Sequence, residues 1–214
     1  MNINRKEIER YLGYKGNTPD DNVKQVIDEA VDEILKIATP KSVYKILPLK
    51  TDGMNINFGS VNAVSKNLGR NLLGCKEIVV FAATLGVGVD SIIKKYSMFE
   101  MSKAVVLQAC AAAMIEDYCD ECQKKIGDEL LERGLYLRPR FSPGYGDFDI
   151  NNQEKFVNIL ESSKKIGLSL TNSLMLVPTK SVTAVMGITE NEEKCHIKGC
   201  EVCTKKDCLF RRDG

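Results

Sequence analysis

The sequence predicts an α+β domain, a mixed and largely antiparallel twisted sheet flanked by helices, followed by a cysteine-rich tail at the carboxyl end. Three observations point there. Amphipathic helical patterns come first, and strand patterns then follow in mixed order rather than in the regular alternation of a doubly wound sheet. A continuous apolar run of strand length, Ile78 to Ala83, stands between Gly74 and Gly86 and reads as the central strand. After Ile188 apolar periodicity stops and thiols and lysines crowd together. Residues 1–188 are therefore expected to form the domain and residues 189–214 a separate metal- or cluster-binding tail.

The 214 residues can bury one substantial core, and 28% charged with 43% hydrophobic residues is ordinary for a globular protein. A formal net charge of +1 exerts no global pull on nucleic acid or a membrane surface, so neither is expected as a partner. The amino terminus lacks the apolar segment of a signal peptide, and no apolar run reaches the roughly 18 residues of a transmembrane helix. These features predict a cytoplasmic protein, in which the eight cysteines are read as metal, cluster or redox chemistry rather than as a disulfide framework.

Residues 4 to 13 predict a short amphipathic helix ending at Gly13. Thr18-Pro-Asp-Asp21 predicts a helix start, with Thr18 as cap, Pro19 in the first turn and two acids at the positive end. Val23, Val26, Ile27, Ala30, Val31, Ile34 and Leu35 continue it as one apolar stripe that stops near Pro40. Lys41 to Leu49 alternates like a half-buried strand, and Met54 to Phe58 is the segment that could pair with it. Val61 to Leu73 reads as a helix.

The apolar run from Ile78 leads into Gly86-Val-Gly88 and an amphipathic segment to Tyr96. Gly86-x-Gly88 after a strand can form a phosphate cradle. The third glycine is missing, however, and Asp90 would repel phosphate, so a plain strand-to-helix turn is the better reading. Ser102 to Leu131 predicts the longest helix, apolar nearly all round from Ala104 to Ile115 and polar from Glu116 onward. Cys119 and Cys122 are neighbours on that helix, open to a redox pair, two metal ligands or ordinary helix cysteines. A short strand, Leu135 to Leu137, precedes a loop, and Asn151 or Asn152 can cap a helix from Glu154 to Ser162. Leu168 to Leu176 and Ser181 to Ile188 are two further strands. Only Pro178-Thr-Lys-Ser181 joins them, so they are expected to form a hairpin.

The loop Arg138-Pro-Arg-Phe-Ser-Pro-Gly-Tyr-Gly-Asp-Phe-Asp149 carries the most chemistry. Pro143-Gly144 suits a type II turn, because proline presets one φ and glycine accepts the positive φ that follows. Gly144 and Gly146 let a ligand approach bare backbone, Arg140 offers a forked cation for a carboxylate, and Tyr145 offers an aromatic face with a polar tip. That set suits a zwitterionic, aromatic small molecule; the alternative is a surface turn with Arg140 solvated and Tyr145 over the core.

Arg140-Phe-Ser-Pro-Gly-Tyr-Gly-Asp147 resembles the RxxPGY loop of the activation domain of cobalamin-dependent methionine synthase, and most closely its free-standing single-domain relatives, which read RFSPGYGD. Arg10-Tyr-Leu-Gly-Tyr14 and Val177-Pro-Thr-Lys-Ser-Val-Thr-Ala-Val-Met-Gly-Ile188 extend the resemblance. The resemblance implies that the chain binds S-adenosylmethionine, with Arg140 on its carboxylate and Pro143, Gly144 and Tyr145 shaping the adenosyl side. It also implies that Glu116, with Asp117 and Glu121 as neighbouring candidates, meets its amino group. The role implied is to support reductive methylation of an oxidised corrinoid, cob(II)alamin to methylcobalamin, as an accessory to the methyltransferase. No catalytic acid or base is expected. The cobalamin is supplied by a partner, a corrinoid-binding protein such as a methionine synthase lacking its own activation domain, and the electron by a donor protein.

In the tail, Cys195, Cys200, Cys203 and Cys208 follow a C-x4-C-x2-C-x4-C spacing that lets four thiolates converge on zinc or an iron–sulfur cluster, with His196 as a spare zinc ligand. Spacing does not choose between the two. Beside the binding module, the sequence thus leaves two other functions open: an electron-transfer activator working through this tail, and a non-catalytic adaptor for the corrinoid protein.

Overall fold

The computed structural model of the chain describes residues 3–14 and 17–191. In order the elements are α1 (Arg5–Tyr11), α2 (Asp21–Ile37), β1 (Lys41–Pro48), β2 (Lys50–Thr51), β3 (Asn55–Phe58), β4 (Val61–Val64), α3 (Lys66–Asn71) and β5 (Glu77–Thr84), continuing with α4 (Val87–Ser97), α5 (Met101–Leu131), β6 (Tyr136–Leu137), α6 (Asn152–Leu160), α7 (Ser162–Ile166), β7 (Ser169–Leu170), β8 (Leu176–Val177) and β9 (Ser181–Thr189). The strands make a four-stranded sheet of order β1-β5-β9-β6, a three-stranded antiparallel sheet β2-β3-β4 and a small antiparallel pair β7-β8. The α+β class read from the sequence is the class found.

Two compact units divide the described residues, one drawing on those up to Ser42, Ala83–Cys122 and Ile166–Val182, the other on Val43–Ala82, Gln123–Lys165 and residues 183–191. In the first, α2 buries Ile27, Ala30 and Ile34, and α5 buries Ala104, Leu107, Cys110, Ala111, Ala113 and Met114, as its dense apolar run requires. The cap of α2 differs from the expected one. Asp20, not Thr18, takes the N-cap, its side chain accepting the Val23 N–H at 2.9 Å, because a carboxylate at that position also meets the positive helix end. Lys103 pairs with Glu33 and lies 4.7 Å from the Tyr96 ring centroid, which ties α2 to the α4–α5 turn.

In the second unit β5 and β9 are the interior strands, and both are buried along nearly their whole length. Three expectations are corrected here. Met54 to Phe58 does not pair with Lys41 to Leu49; β3 pairs instead with β2 and β4, Ile56 opposite Ala63 and Phe58 opposite Val61. Val61 to Leu73 is a strand followed by a helix rather than one helix. Ser65 breaks it, its hydroxyl accepting the Leu68 N–H at 3.0 Å as an N-cap and so starting α3 midway. Finally, β9 does not form a hairpin with the segment before it. Residues 171–175 turn back on themselves, Thr171 N–H to the Met175 carbonyl at 2.9 Å, so that β7 pairs with β8, while β9 enters the four-stranded sheet between β5 and β6.

Candidate functional site

The Arg138–Asp149 loop lies wholly in the second unit and is built from β9 outward. β6 pairs with β9, Leu137 opposite Ile188, and the backbone keeps to that edge: Arg138 N–H reaches the Gly187 carbonyl at 2.8 Å, and Phe141 exchanges two 2.9 Å hydrogen bonds with Val185. The chain then bends. Tyr145 N–H donates to the Ser142 carbonyl at 3.2 Å with Gly144 at φ 90°, the pairing a type II turn over Pro143-Gly144 needs. Gly144 N–H donates to the Phe148 carbonyl at 2.7 Å, and Phe148 N–H to that of Tyr145 at 3.0 Å, closing the bend into a compact ring of main chain.

Aromatic packing holds this ring down. Phe148 is buried between Phe141 and Phe156, centroids 6.3 and 6.1 Å away, and Phe156 continues to Phe58 at 5.9 Å. Burying a phenylalanine of this kind contributes about 1.5–3 kcal/mol. The turn therefore rests on the core, although its tip is exposed.

Of the residues singled out in the sequence, Pro143 is buried, Gly144 is exposed, Tyr145 is 67% exposed and Arg140 is half-buried. Arg140 is oriented by a hydrogen bond from Nη1 to the Gln123 Oε1 of α5 at 3.0 Å. The loop thus brings a positioned guanidinium, an accessible aromatic ring and an exposed glycine into one segment. The guanidinium is a donor suited to a carboxylate and the ring a stacking face suited to an aromatic heterocycle.

Asp147 was part of the sequence motif but carried no role there, and it proves to be the tie to the rest of the unit. Its carboxylate accepts Ser65 Oγ–H at 2.5 Å, Lys66 N–H at 2.7 Å and Asn67 N–H at 3.1 Å. Desolvation works against its charge, but these donors prevail and hold the carboxyl below the usual aspartate range. Gly146 beside it, at φ 55°, presses on Asn67 so closely that a methyl there would come within 2.5 Å of Nδ2.

Glu116 sits half-buried on α5 in the first unit. Its neighbour Asp117 accepts the Asn4 N–H at 2.6 Å, which fixes the start of α1; burial, with Asp120, Glu7 and Glu121 nearby, pushes that carboxyl up. Cys119 and Cys122 are both buried, and Cys122 Sγ lies 3.4 Å from the Ser42 hydroxyl. Among the described residues no cluster of histidine, cysteine or carboxylate side chains has metal-binding geometry. Cys195, Cys200, Cys203, Cys208 and His196 lie outside the described residues.

The other glycine-rich turn is occupied by its own fold. Gly86 caps α4 at φ 86°, and a methyl there would collide with the Thr39 hydroxyl; one on Gly88 would sit 2.9 Å from the Ile37 carbonyl oxygen. The carboxylate of Asp90 is taken by Thr179 N–H at 2.7 Å and its hydroxyl at 2.6 Å. These glycines are required by packing, so the strand-to-helix turn is the reading that stands. Among the described residues no helix is long and apolar enough to cross a membrane.

The model of one family, described as the vitamin B12 dependent methionine synthase activation domain, matches residues 69–201, more than half of the chain and including the whole loop. Among solved structures the chain is similar to a crystal structure of the MetH reactivation domain bound to AdoHcy. The TM-score is 0.63 at 14% sequence identity, covering 90% of this chain and 78% of that one. No curated protein matches.

Proposed function

The chain belongs to the family of vitamin B12-dependent methionine synthase activation domains, and from that premise we propose that it binds S-adenosylmethionine at the Arg140–Asp147 loop. There it serves the reductive methylation of an oxidised corrinoid held by a methionine synthase or another corrinoid protein. The observation that carries this reading is the loop itself: a main-chain ring anchored by Phe148 beneath and Asp147 at the side, with Gly144 and Tyr145 left accessible and Arg140 oriented by Gln123. A turn serving only to connect β6 to α6 has no need of an exposed tyrosine on so rigid a base. The solved relative with AdoHcy bound supports the ligand class.

The residues fit such a ligand. Arg140 takes the carboxylate with its forked donors, Gly144 gives main-chain access, Tyr145 lies along the adenosyl group, and Pro143, buried, holds the bend. Bound S-adenosylmethionine supplies the methyl group, and a donor protein supplies the electron. The chain's own contribution is placement, which turns an unfavourable encounter with the corrinoid into an effectively intramolecular one.

Calorimetric titration with S-adenosylmethionine tests the ligand, with saturable heat expected for the wild type and a weakened response in Arg140→Ala. The same titration on Glu116→Gln tests the role that the family resemblance gives that residue. Mixing the protein with an oxidised corrinoid protein, reductant and S-adenosylmethionine should restore methylcobalamin. A wild type without heat, or a corrinoid that stays oxidised, removes the proposal.

The C-x4-C-x2-C-x4-C spacing within residues 189–214 favours a second, separable reading: a thiolate centre on Cys195, Cys200, Cys203 and Cys208 that delivers electrons if it is an iron–sulfur cluster and is structural if it is zinc. Metal analysis of protein purified without air, with the visible spectrum of the Cys200→Ser and Cys203→Ser variants, separates the two. Metal-free, colourless protein rejects both.

A further inference from the structure

We propose that Asp147 is the positioning residue of the ligand loop: by gripping the start of α3 it sets the shape in which the loop takes its ligand, and it couples the β4–α3 segment to occupancy of the site. The inference rests on the binding function proposed above, but its geometry does not. Ser65 Oγ–H, Lys66 N–H and Asn67 N–H all converge on the one carboxylate, at 2.5, 2.7 and 3.1 Å. Their donors belong to the turn that opens α3, where Ser65 also caps Leu68. The first main-chain N–H groups of α3 are thus satisfied from a residue 80 and 81 positions away in the sequence, so the helix start and the loop order each other.

The neighbouring residues leave little slack in this joint. Gly146 lies against Asn67, and the ring closed by Gly144 N–H and the Phe148 carbonyl begins two residues before Gly146. Releasing Asp147 therefore frees the tip that carries Tyr145, while Phe148, buried beneath, keeps the base in place. Asp147 acts through the loop, not on the ligand. Replacing it with asparagine keeps the shape but puts an amide N–H where acceptors are needed.

The experiment uses the full chain as wild type, Asp147→Asn and Asp147→Glu, measuring S-adenosylmethionine affinity by calorimetry and main-chain amide exchange with and without the ligand. The D147N variant is expected to bind about tenfold more weakly or worse, with faster exchange at Gly144, Phe148, Lys66 and Asn67 and buried amides of β5 and β9 unchanged. D147E, which keeps the charge, should recover part of the affinity. In the wild type the ligand should slow exchange at Lys66 and Asn67. Wild-type affinity in D147N overturns the inference and leaves the proposed function standing. A wild type that gives no heat sinks the proposed function instead, and ligand-free exchange then decides: faster exchange at Gly144 and Phe148 in D147N supports positioning, and unchanged exchange overturns it. Where D147N fails to fold, Ser65→Ala, which deletes one of the three donors, takes its place and is read by the same two measurements.

Discussion

Two turns of this chain share a signature. In Gly86-Val-Gly88 and in Gly144-Tyr-Gly146 the first glycine has positive φ, 86° and 90°, and an aspartate follows whose carboxylate is held by main-chain N–H groups of another segment. Their surroundings differ. Around Gly86 and Gly88 the space a side chain would fill belongs to Thr39 and Ile37, so the glycines exist to let α4 close on the end of α2. Gly146 is likewise taken up by its own fold, against Asn67, but around Gly144 the neighbour is the side chain of Ile150, the glycine is exposed, and Tyr145 beside it stands 67% open. A Gly-x-Gly pair therefore says only that something comes close to the backbone. Whether that something is the protein or a ligand is decided by packing.

The largest effect that separates the two turns is on stability. Gly86→Ala forces a left-handed conformation as well as a clash and should cost about 3 kcal/mol or more, read as a lower denaturation midpoint. The protein that remains folded should still bind S-adenosylmethionine with wild-type affinity. Arg140→Ala should do the reverse: affinity falls by about ten- to a hundredfold as a charge-assisted pair is lost, while the melting temperature moves by only a few degrees. Tyr145→Ala is expected to weaken binding by about fivefold, because one stacked aromatic contributes on the order of 1 kcal/mol, and to leave stability unchanged at so exposed a position.

The smallest effect is pH dependence. Asp147 titrates below the ordinary aspartate range when folded, so its contribution is present above the unfolded value and is lost as pH falls through the lower folded one. The difference in melting temperature between wild type and D147N should be full at about pH 5 and shrink below about pH 4. A difference that grew on acidification would contradict the sign.

What could be read in the sequence was what local stereochemistry fixes. Pro143-Gly144 specified its turn because the two φ values are set by those residues alone, and Ile78 to Ala83 specified an interior strand because nothing polar interrupts it. Val61 to Leu73 misled because Val61 and Ala63 have partners, Phe58 and Ile56, that only the three-stranded sheet supplies. The hairpin expected at Pro178–Ser181 failed similarly: a short link does not force pairing when the eight-residue β5 offers β9 a longer partner than the two-residue β8 does. Asp147 was invisible for a sharper reason. An aspartate in a glycine turn is unremarkable until Ser65, Lys66 and Asn67 are found on it from far along the chain.

A titration of amide chemical shifts with S-adenosylmethionine compares the two turns in one sample. Binding at the loop predicts saturable shifts at Arg140, Gly144, Tyr145 and Gly146 with Gly86 and Gly88 still. Unmoved loop amides, or shifts confined to Gly86 and Gly88, would contradict it.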